Sequence, residues 1–430
     1  MKKLSVIVIG LGGRGTQYIH HMLTIPEKYE IVAVADPAEG RRKTAQQMCN
    51  LPDEMLFNGY EEILSRPKFA DLAVIATVDK LHYAPAMKAI ELGYHLLLEK
   101  PVAPTPKECA EIALTAEKKG VSVLVCHVLR YSFFYKTIKR LLMEGIVGDV
   151  ISVSAVEGVN TIHQSHSYVR GNWHSEEEAA PMLLAKSCHD IDILQWLLNK
   201  PCKKVTSFGN LTYFTKANAP EGAPVRCADG GCPVADTCPY NCIKLYYDDK
   251  DNAWFRRAAT RAFAKTGKPT DEEVMHALKT TDYGLCVFQA NNDVVDHQIV
   301  NMEFEGDTTV QFTMTAFAKG SRYIRIYGTI GELSAYTDDE TITYFDHAAK
   351  TTTSIPIDKP DAISMHGGGD LGIVNELYEY LSGNYTGYCA ADISRSVKNH
   401  MLVFAAEKAR HNNTVESIDA YMSEFGLTND

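Results

Sequence analysis

Residues 3–15 read KLSVIVIGLGGRG and residues 29–36 read YEIVAVAD. The first stretch opens with a short apolar run rich in β-branched residues, which is typical of a strand inside a parallel sheet. It leads into Gly10 to Gly15, which fits G-x-G-x-x-G, and a helix-like stretch follows from Thr16 to Thr24. The second stretch predicts another strand that ends at Asp36. This order of strand, glycines, helix, strand and acid predicts a dinucleotide-binding unit, the alternative being a glycine-rich turn in an ordinary α/β domain.

Each part of this stretch has a physical task. Gly10 permits the tight turn, Gly12 lets the backbone approach a pyrophosphate, and Gly15 lets the helix pack on the strand. The free N–H groups at the helix N-terminus favour the phosphates. The loop residues expected to contact the cofactor are Gly10, Leu11, Gly12, Gly13, Arg14 and Gly15.

Asp36 lies where a carboxylate would accept hydrogen bonds from the adenosine ribose. A carboxylate would repel a 2′-phosphate, so we expect NAD in preference to NADP. Arg41 and Arg42 are close enough in sequence to complicate this expectation, because an arginine can accommodate that phosphate.

The length of 430 residues predicts two domains. The formal charge of −11 argues against a nucleic-acid-binding surface. The one basic cluster is expected to be a solvated helix face. An odd count of 11 scattered cysteines and the lack of a membrane-spanning apolar stretch favour a reducing, cytoplasmic location. The basic cluster comprises Arg256, Arg257, Arg261, Lys265 and Lys268.

Strand and helix patterns keep alternating up to residue 126, which predicts a doubly wound parallel sheet over residues 1–126. The strand ADLAVIA, 70–76, is followed by Thr77, at the edge where ligands sit in such sheets. A helix is predicted to begin at His82. The strand YHLLL, 94–98, is followed directly by Glu99, Lys100 and Pro101. We expect Thr77, His82, Glu99 and Lys100 to contact the cofactor.

The pattern changes after His127, and residues 127–430 predict a second, α+β domain with a large, mostly antiparallel sheet. A cysteine-rich insert lies near residues 225–245. One helix is expected from Met182 to Leu198, and two more close the chain. The predicted strands are Val150–Val159, Lys204–Phe214, Gln298–Phe304, Thr309–Ala318, Tyr323–Tyr327 and Glu332–Tyr336, and the closing helices are Leu371–Leu381 and Ile393–Arg410.

These features together resemble the Gfo/Idh/MocA family of nicotinamide-dependent oxidoreductases. The resemblance rests on the N-terminal glycine pattern, Glu99-Lys100-Pro101, the GIVG of residues 145–148, His189 to Asp192 as H-x-x-D, and RIYGTIGEL at Arg325 to Leu333. It implies a Rossmann domain, a domain whose open sheet packs in homo-oligomers (dimers or tetramers), and a substrate cleft between them. It also implies a sugar, inositol or related polyol as the small-molecule substrate.

The resemblance implies that Lys100 reaches the reacting hydroxyl, where its charge would stabilise a developing alkoxide. It also places a catalytic histidine at His189, whose imidazole suits proton transfer at neutral pH. A solvated lysine and a satisfied core histidine are the structural alternatives. Asp192, one helical turn on, could orient this imidazole or belong to a structural ion pair.

One position departs from the family pattern. Many members carry an aspartate four residues before the histidine, and here that position is Ala185. Lys186 stands beside it and is expected on roughly the same helical face as His189. We therefore include Lys186 as a secondary catalytic cation.

Further substrate candidates are polar or aromatic residues near the predicted cleft, each of which could equally be structural. An aromatic ring beside polar groups suits the apolar face and hydroxyl rim of a sugar. These candidates are His127, Arg130, Trp173, Asp192 and His366.

The insert carries four cysteines in CADGGCPVADTCPYNC. Four thiolates suit tetrahedral zinc, so we expect one structural zinc ion. The spacing is looser than in paired C-x-x-C motifs, and an iron–sulfur cluster, two disulfides or free thiols are the alternatives. The expected ligands are Cys227, Cys232, Cys238 and Cys242.

The leading functional hypothesis is an NAD(P)-dependent dehydrogenase or reductase acting on a secondary hydroxyl of a sugar, cyclitol or glycoside. One alternative is an NAD-dependent glycosidase that acts by transient oxidation and elimination. The other is a nucleotide sensor without activity, which the presence of both Lys100 and His189 argues against.

Overall fold

The computed structural model describes residues 2–261, 268–357 and 366–429. Its N-terminal unit contains a six-stranded parallel sheet in the order β3-β2-β1-β4-β5-β6. The central strands are apolar on both faces because helices cover both sides, as expected for a doubly wound sheet. The strands are β1 Leu4–Ile9, β2 Tyr29–Ala35, β3 Leu56–Phe57, β4 Leu72–Ile75, β5 His95–Leu98 and β6 Val123–Val125.

The helices of this unit begin and end at recognisable signals. Thr105 caps the helix that follows it by accepting a hydrogen bond from the Glu108 N–H, and Gly93 and Gly120 end two helices in the left-handed conformation. The helices are α1 Gly13–Leu23, α2 Glu39–Cys49, α3 Tyr60–Ile63, α4 Tyr83–Leu92 and α5 Pro106–Lys119.

The second sheet has nine strands in the order β14-β13-β12-β11-β7-β10-β9-β8-β15. Strands β7 and β10 pair in parallel, whereas the other described pairs of this sheet are antiparallel. The predicted fold class, a Rossmann unit followed by a mostly antiparallel open sheet, is therefore confirmed. The strands are β7 Val150–Gly158, β8 Cys202–Asn210, β9 His297–Phe304, β10 Thr309–Thr315, β11 Arg322–Gly328, β12 Gly331–Tyr336, β13 Thr341–Asp346, β14 Thr351–Pro356 and β15 Glu416–Ser417.

Helices of the C-terminal part cover one face of this sheet and also reach the Rossmann unit. The Tyr29 hydroxyl donates to the Val374 carbonyl at 2.7 Å, and the Val125 N–H donates to the Ala391 carbonyl at 2.8 Å. The end of the chain thus ties the two sheets together. The helices are α6 Phe133–Met143, α7 Thr161–Gln164, α8 Met182–Ala185, α9 Cys188–Leu198, α10 Ala253–Thr260, α11 Asp271–Thr280, α12 Gly369–Leu381, α13 Ile393–Asn412 and α14 Ile418–Ser423, with π-helical turns at Ser165–Val169 and Ile243–Asp248.

The expected single helix from Met182 to Leu198 is wrong. The chain leaves helical geometry at Lys186 and Ser187, so α8 and α9 are separate. Lys186 pairs at this break with Glu157 of β7, with Nζ 3.1 Å from the carboxylate. An apolar pattern that continues through both helices conceals such a break.

Other differences have simple causes. The predicted strand from Lys204 ends at Asn210 rather than Phe214, and β13 and β14 were not predicted. The edge strand β14 is largely exposed on both faces, so no alternation of apolar residues marks it. Arg256 of the basic cluster is buried and donates to an Asp271 carboxylate oxygen at 2.6 Å, rather than lying on a solvated face. Lys265 lies outside the described residues.

None of the described helices combines the length and the apolar character that crossing a membrane requires.

Candidate active site

The glycine turn has the geometry that dinucleotide binding needs. Gly10 has φ +92°, and a Cβ there would lie 2.5 Å from the Ala76 carbonyl oxygen. A Cβ on Gly15 would lie 1.9 Å from the Gly10 carbonyl oxygen. In contrast, a Cβ on Gly12 or Gly13 would meet no described atom within 4 Å. The backbone above Gly12 and the start of α1 is therefore open, and these residues fit a pyrophosphate.

Asp36 closes this turn from the end of β2. Its carboxylate accepts from the Leu11 N–H and the Ala38 N–H, both at 2.8 Å. Arg41 lies beside it, with NH1 3.6 Å from the carboxylate, and Arg42 donates to the Asp36 carbonyl at 2.6 Å. Asp36 is in the place predicted for ribose binding, and one arginine accompanies its side chain.

Arg14 and Glu99 belong to a buried network at the carboxyl ends of β1 and β5. Arg14 Nε donates to Glu99 at 2.6 Å, and Arg14 NH1 lies 2.8 Å from Asp370. The Tyr18 hydroxyl donates to the same Glu99 oxygen at 2.6 Å. Burial acts to raise the pKa of Glu99, but the charges of Arg14 and Lys100 outweigh it and lower that pKa. These contacts favour a supporting role for Arg14 and Glu99 over direct contact with phosphate.

Lys100 leaves the end of β5 and crosses to the second domain. Its Nζ donates to the Ala185 carbonyl at 2.9 Å, and its peptide bond to Pro101 is cis. His82 is fully buried behind this turn, with ring nitrogens 2.6 Å from the Pro101 carbonyl oxygen and 3.2 Å from that of Thr77. His82 therefore holds two neighbouring loops together, and its ring is directed at the backbone rather than at a cofactor.

His189 lies in the first turn of α9 and is 9 % exposed. Burial lowers the pKa of His189 well below its ordinary value, and the charge of Lys100 and the ring of His127 lower it further. Its Nδ1 has no hydrogen-bond partner among the described residues. The ring is therefore neutral at neutral pH, which is the form that accepts a proton.

Arg130 and Asp192, both predicted to bind substrate, are bound to each other. Arg130 donates to both oxygens of Asp192, at 2.7 and 2.6 Å, and both side chains are buried. Asn399 of α13 also donates to Asp192. Their predicted contact with substrate is corrected to a structural ion pair, because neither group has an oxygen or nitrogen left open to a cleft. Among the described residues the Asp192 carboxylate accepts from Arg130 and Asn399 and not from His189.

His127 lies between this ion pair and His189. It is fully buried, and its ring centroid is 5.9 Å from that of His189. Its Nδ1 lies 3.7 Å from an Asp192 oxygen, and neither ring nitrogen has a hydrogen-bond partner among the described residues. Burial and the charge of Arg130 lower the pKa of His127 well below its ordinary value. The ring of His400, whose centroid is 5.7 Å away, packs against it, so the two buried imidazoles lie behind His189. His127 is thus placed behind the site rather than at its surface.

Lys186 does not share a helical face with His189, because it lies in the break between α8 and α9. Its partner Glu157 also receives Arg322, whose Nε lies 2.7 Å from both Glu157 and Asp190. Burial and the charge of Glu157 raise the pKa of Asp190 to about 6, although Arg322 opposes them. Lys186 is thus engaged in a four-membered charge network.

Trp173 and His366 are both held at the junction of the two domains. Trp173 Nε1 donates to Asp79, just beyond β4, at 2.9 Å. His366 Nδ1 lies 2.9 Å from Asp370, the residue that also pairs with Arg14. The structure therefore brings both predicted substrate residues to the edge of the Rossmann sheet where Lys100 lies.

Three of the predicted zinc ligands line one cavity of about 240 Å³, whereas Cys242 is fully buried away from it. The cysteines are all free thiols. In the described part of the chain no three cysteine sulfurs lie within 4.8 Å of one another, so a closed tetrahedral set is not preformed. The cavity cysteines of the predicted set are Cys227, Cys232 and Cys238.

Sequence reasoning missed several members of the site. Tyr18, Glu157 and Arg322 come from distant elements, and no sequence motif marks them. Asn399 and His400 are buried on α13, but polar residues occur along the whole of that helix, so the sequence does not distinguish these two from solvated ones.

Comparison with known proteins identifies the family. The Gfo/Idh/MocA model described as an oxidoreductase family with NAD-binding Rossmann fold matches residues 4–127, and the model of its C-terminal alpha/beta domain matches residues 139–416. The chain belongs to the Gfo/Idh/MocA oxidoreductase family. It is thus an oxidoreductase with a nicotinamide-binding domain, and the resemblance inferred from the motifs is confirmed.

Relatives within the family are distant. A Bacillus subtilis protein named as an oxidoreductase, YteT, is 22% identical over 397 residues, which is 87% of this chain and 88% of the relative. The scyllo-inositol 2-dehydrogenase (NADP(+)) IolW of B. subtilis is 28% identical over 209 residues, 47% of this chain and 54% of the relative. The chain therefore matches only about half the length of that inositol dehydrogenase.

Solved structures of the family share the fold. A levoglucosan dehydrogenase in complex with NADH and L-sorbose superimposes with a TM-score of 0.71 at 14% identity, covering 97% of this chain and 99% of that one. An oxidoreductase from Agrobacterium radiobacter in complex with NAD+, L-tartaric acid and magnesium gives 0.68 at 14% identity, with the same coverage of both chains.

Proposed function

We propose that this protein is an NAD-dependent oxidoreductase that transfers hydride between nicotinamide and a secondary hydroxyl of a sugar, cyclitol or glycoside. The observation that carries this proposal is the contact of Lys100 with the backbone just before the segment that carries His189. Lys100 extends from the carboxyl end of a Rossmann strand to the Ala185 carbonyl, at the start of the segment that carries His189. A cation and a neutral imidazole are thereby held at the edge where open α/β sheets bind ligands.

Bound nicotinamide supplies the hydride chemistry, and the chain supplies orientation, charge and proton transfer. The Lys100 ammonium donates to one carbonyl among the described residues, and its remaining N–H groups would donate to a substrate oxygen. That charge would stabilise an alkoxide as the hydroxyl loses its proton. Neutral His189 would accept the proton. Lys186 is proposed as a more distant cation that contributes positive potential through the Glu157 and Arg322 network.

Residues of the glycine turn would hold the cofactor. Gly12, Gly13 and the N-terminus of α1 fit the pyrophosphate, and Thr77 lies at the strand edge beside it. Asp36 favours a free ribose hydroxyl and hence NAD. Arg14, His82 and Glu99 are proposed to act on the cofactor indirectly, by fixing the loops that surround it.

Substrate contacts are proposed for Trp173 and His366, which lie at the domain junction and retain ring surface for a sugar. Inositol dehydrogenases among the relatives and the L-sorbose bound to a structural neighbour support a carbohydrate or polyol as the substrate class. His127, Arg130 and Asp192 are proposed to position His189 from behind.

Two further proposals concern assembly and metal. The uncovered face of the large sheet carries Phe208 and Tyr336, which are 59% and 46% exposed, and this supports a homo-oligomer formed through that face. The cysteine-rich insert is proposed to hold a structural zinc ion. Light scattering on the purified protein and on Phe208→Glu tests the assembly: a wild-type monomer would contradict it.

The activity is tested by incubating the enzyme with NAD or NADP and a panel of sugars, inositols and glycosides. Absorbance of the reduced nicotinamide and product mass are followed together. A product two mass units from the substrate, formed with matching nicotinamide conversion, supports the proposal. Release of free sugar without net NADH would instead indicate the NAD-dependent glycosidase, and nucleotide binding with no product from any substrate would indicate a sensor.

A further inference from the structure

Four cysteines from the chain segment that links β8 to β9 line the cavity of about 240 Å³, and one of them lies outside the cysteine-rich insert. All four are partly exposed to this cavity, and the rest of its wall is largely apolar. Thiolates are the ligands that zinc prefers at a closed, four-coordinate structural site. The four residues are Cys227, Cys232, Cys238 and Cys286.

Tertiary contacts bring Cys286 to the insert. The Cys286 N–H donates to the Val225 carbonyl at 2.9 Å, and Arg226 pairs with Leu285 in an antiparallel bridge. Cys286 is thereby fixed beside Cys227, although almost sixty residues separate them in sequence. The four thiols therefore come from two separate segments of the chain.

Cys242 has a different environment from the other four. It is fully buried, does not line the cavity, and packs in a small apolar cluster with Tyr246 and Phe255. Its thiol donates a long hydrogen bond of 4.0 Å to the Gly284 carbonyl. Cys242 is therefore not among the cysteines that line the cavity.

Arg170 places a buried positive charge in the wall of the same cavity. It lines the cavity and is 2% exposed. Its Nε donates to the Leu285 carbonyl and its NH2 to the Tyr240 carbonyl, both at 2.8 Å. Its NH1 is buried and has no acceptor among the described residues. A buried, charged N–H group without a partner is costly, and the thiolates of a four-cysteine zinc site would be suitable acceptors for it.

We propose that Cys227, Cys232, Cys238 and Cys286 hold one zinc ion, that Cys242 is not a ligand, and that Arg170 NH1 donates to the bound thiolates. This refines the zinc proposal made above and rests on it. Binding would draw the four sulfurs inward from the cavity wall. The loop between Cys227 and Cys232 can follow, because Gly230 and Gly231 have positive φ and a Cβ on either would meet nothing within 4 Å.

The consequence of this site is that a metal ion would join the cysteine-rich insert to the segment that carries Trp173. Arg170 directly follows the π-helical turn Ser165–Val169 and precedes Trp173, so the ion would fix the segment that carries Trp173 to the junction with Asp79. The metal would be structural, since four protein ligands leave no open position for substrate.

The test uses the full-length protein purified under reducing conditions without added metal. Zinc is measured by mass spectrometry after dialysis against a mild chelator. About one zinc per chain is expected in the wild type and in Cys242→Ala, and almost none in Cys286→Ala. Retention of zinc in Cys286→Ala, with loss in Cys242→Ala, would overturn the proposed ligand set.

A second measurement covers the case in which Cys286→Ala does not fold. Cobalt(II) is substituted into the wild type and Cys242→Ala, and its absorption reports the number of thiolate ligands. Four-thiolate spectra from both proteins support the proposal, and a change in the Cys242→Ala spectrum overturns it. A wild type that holds no metal, or iron with visible sulfide absorption, also overturns it. NADH titration of the same samples separates these outcomes from a failure of the oxidoreductase proposal.

Discussion

The Lys100 ammonium donates a hydrogen bond of 2.9 Å to the backbone carbonyl of Ala185. This bond joins the end of β5 in the Rossmann sheet to the helix that precedes the His189 segment. Ala185 stands at the position where the family pattern has an aspartate, so Lys100 meets a backbone carbonyl there instead of a carboxylate. The reacting hydroxyl would therefore meet a lysine without a carboxylate partner.

Replacing Lys100 by Met should lower kcat by at least ~10²-fold, because removing a group that stabilises developing charge costs about this much. Steady-state kinetics with the substrate found by the screen would measure this loss. Lys80→Met is a suitable control, since Lys80 lies on the same domain in an exposed turn. A Lys100→Met enzyme with near wild-type kcat would remove Lys100 from the catalytic assignment.

His189→Ala should lower kcat by roughly 10²–10⁴-fold while NADH binding stays intact. Because burial and Lys100 depress the pKa of His189, the acid limb of the wild-type kcat profile should lie below pH 6.5. Rate measurements from pH 4.5 to 9 would locate this limb.

Lys186→Met separates the two candidate bases. We expect a modest decrease in kcat and no shift of the acid limb, because Lys186 is paired with Glu157. An active His189→Ala enzyme alongside an inactive Lys186→Met enzyme would instead identify Lys186 as the base.

Gly12→Ala and Gly15→Ala form a matched pair that separates cofactor binding from folding. Gly12→Ala should leave the Tm almost unchanged and weaken NADH binding severely, because the new methyl group meets only the space proposed for pyrophosphate. Gly15→Ala should lower the Tm, since its Cβ would lie 1.9 Å from the Gly10 carbonyl oxygen. Calorimetry and fluorescence titration measure both effects. Tight NADH binding by Gly12→Ala would contradict the proposed cradle.

NADH should bind more tightly than NADPH because Asp36 would repel a 2′-phosphate. Asp36→Ala should bring the affinities for NADH and NADPH closer together, since Arg41 and Arg42 remain nearby to bind the 2′-phosphate. Fluorescence titration of both nucleotides gives the ratio. Tighter binding of NADPH by the wild type would show that the arginines dominate.

Buried neutral histidines should make the fold sensitive to acid. Burial and the nearby His127 lower the pKa of His400 to about 3, so the unfolded chain binds this proton at a higher pH than the folded protein does. The contribution of His400 is therefore present above pH 6.5 and is lost as the pH falls from about 6.5 towards 3.

Because of this one group, the free energy of unfolding should fall by about 1.4 kcal/mol for each unit by which the pH is lowered between 6 and 4. His400→Gln should flatten the dependence by that slope, and urea unfolding at each pH measures it. His276→Gln is the control, because His276 lies on an exposed part of α11. An unchanged slope in His400→Gln would show that His400 is not buried in its neutral form.

Local sequence determined the Rossmann unit and its cofactor-binding turn. Gly10, Gly12, Gly15 and Asp36 act within one strand–helix–strand unit, so their spacing along the chain fixes their spatial relation. The same holds for Lys100, which is placed by the strand before it and the proline after it. The family could be identified for this reason, because its motifs are local.

Only the tertiary structure decided which polar groups bind one another. Asp192 is one helical turn from His189, yet it pairs with Arg130, because that guanidinium enters the core from another element and both side chains are buried there. Lys186 likewise turns to Glu157 of the sheet, which a helical pattern could not show. Cys286 joins the cysteine cavity through a bridge between distant segments. Which charges are buried and paired depends on the elements packed across the core, and this cannot be inferred from the sequence of one strand or helix alone.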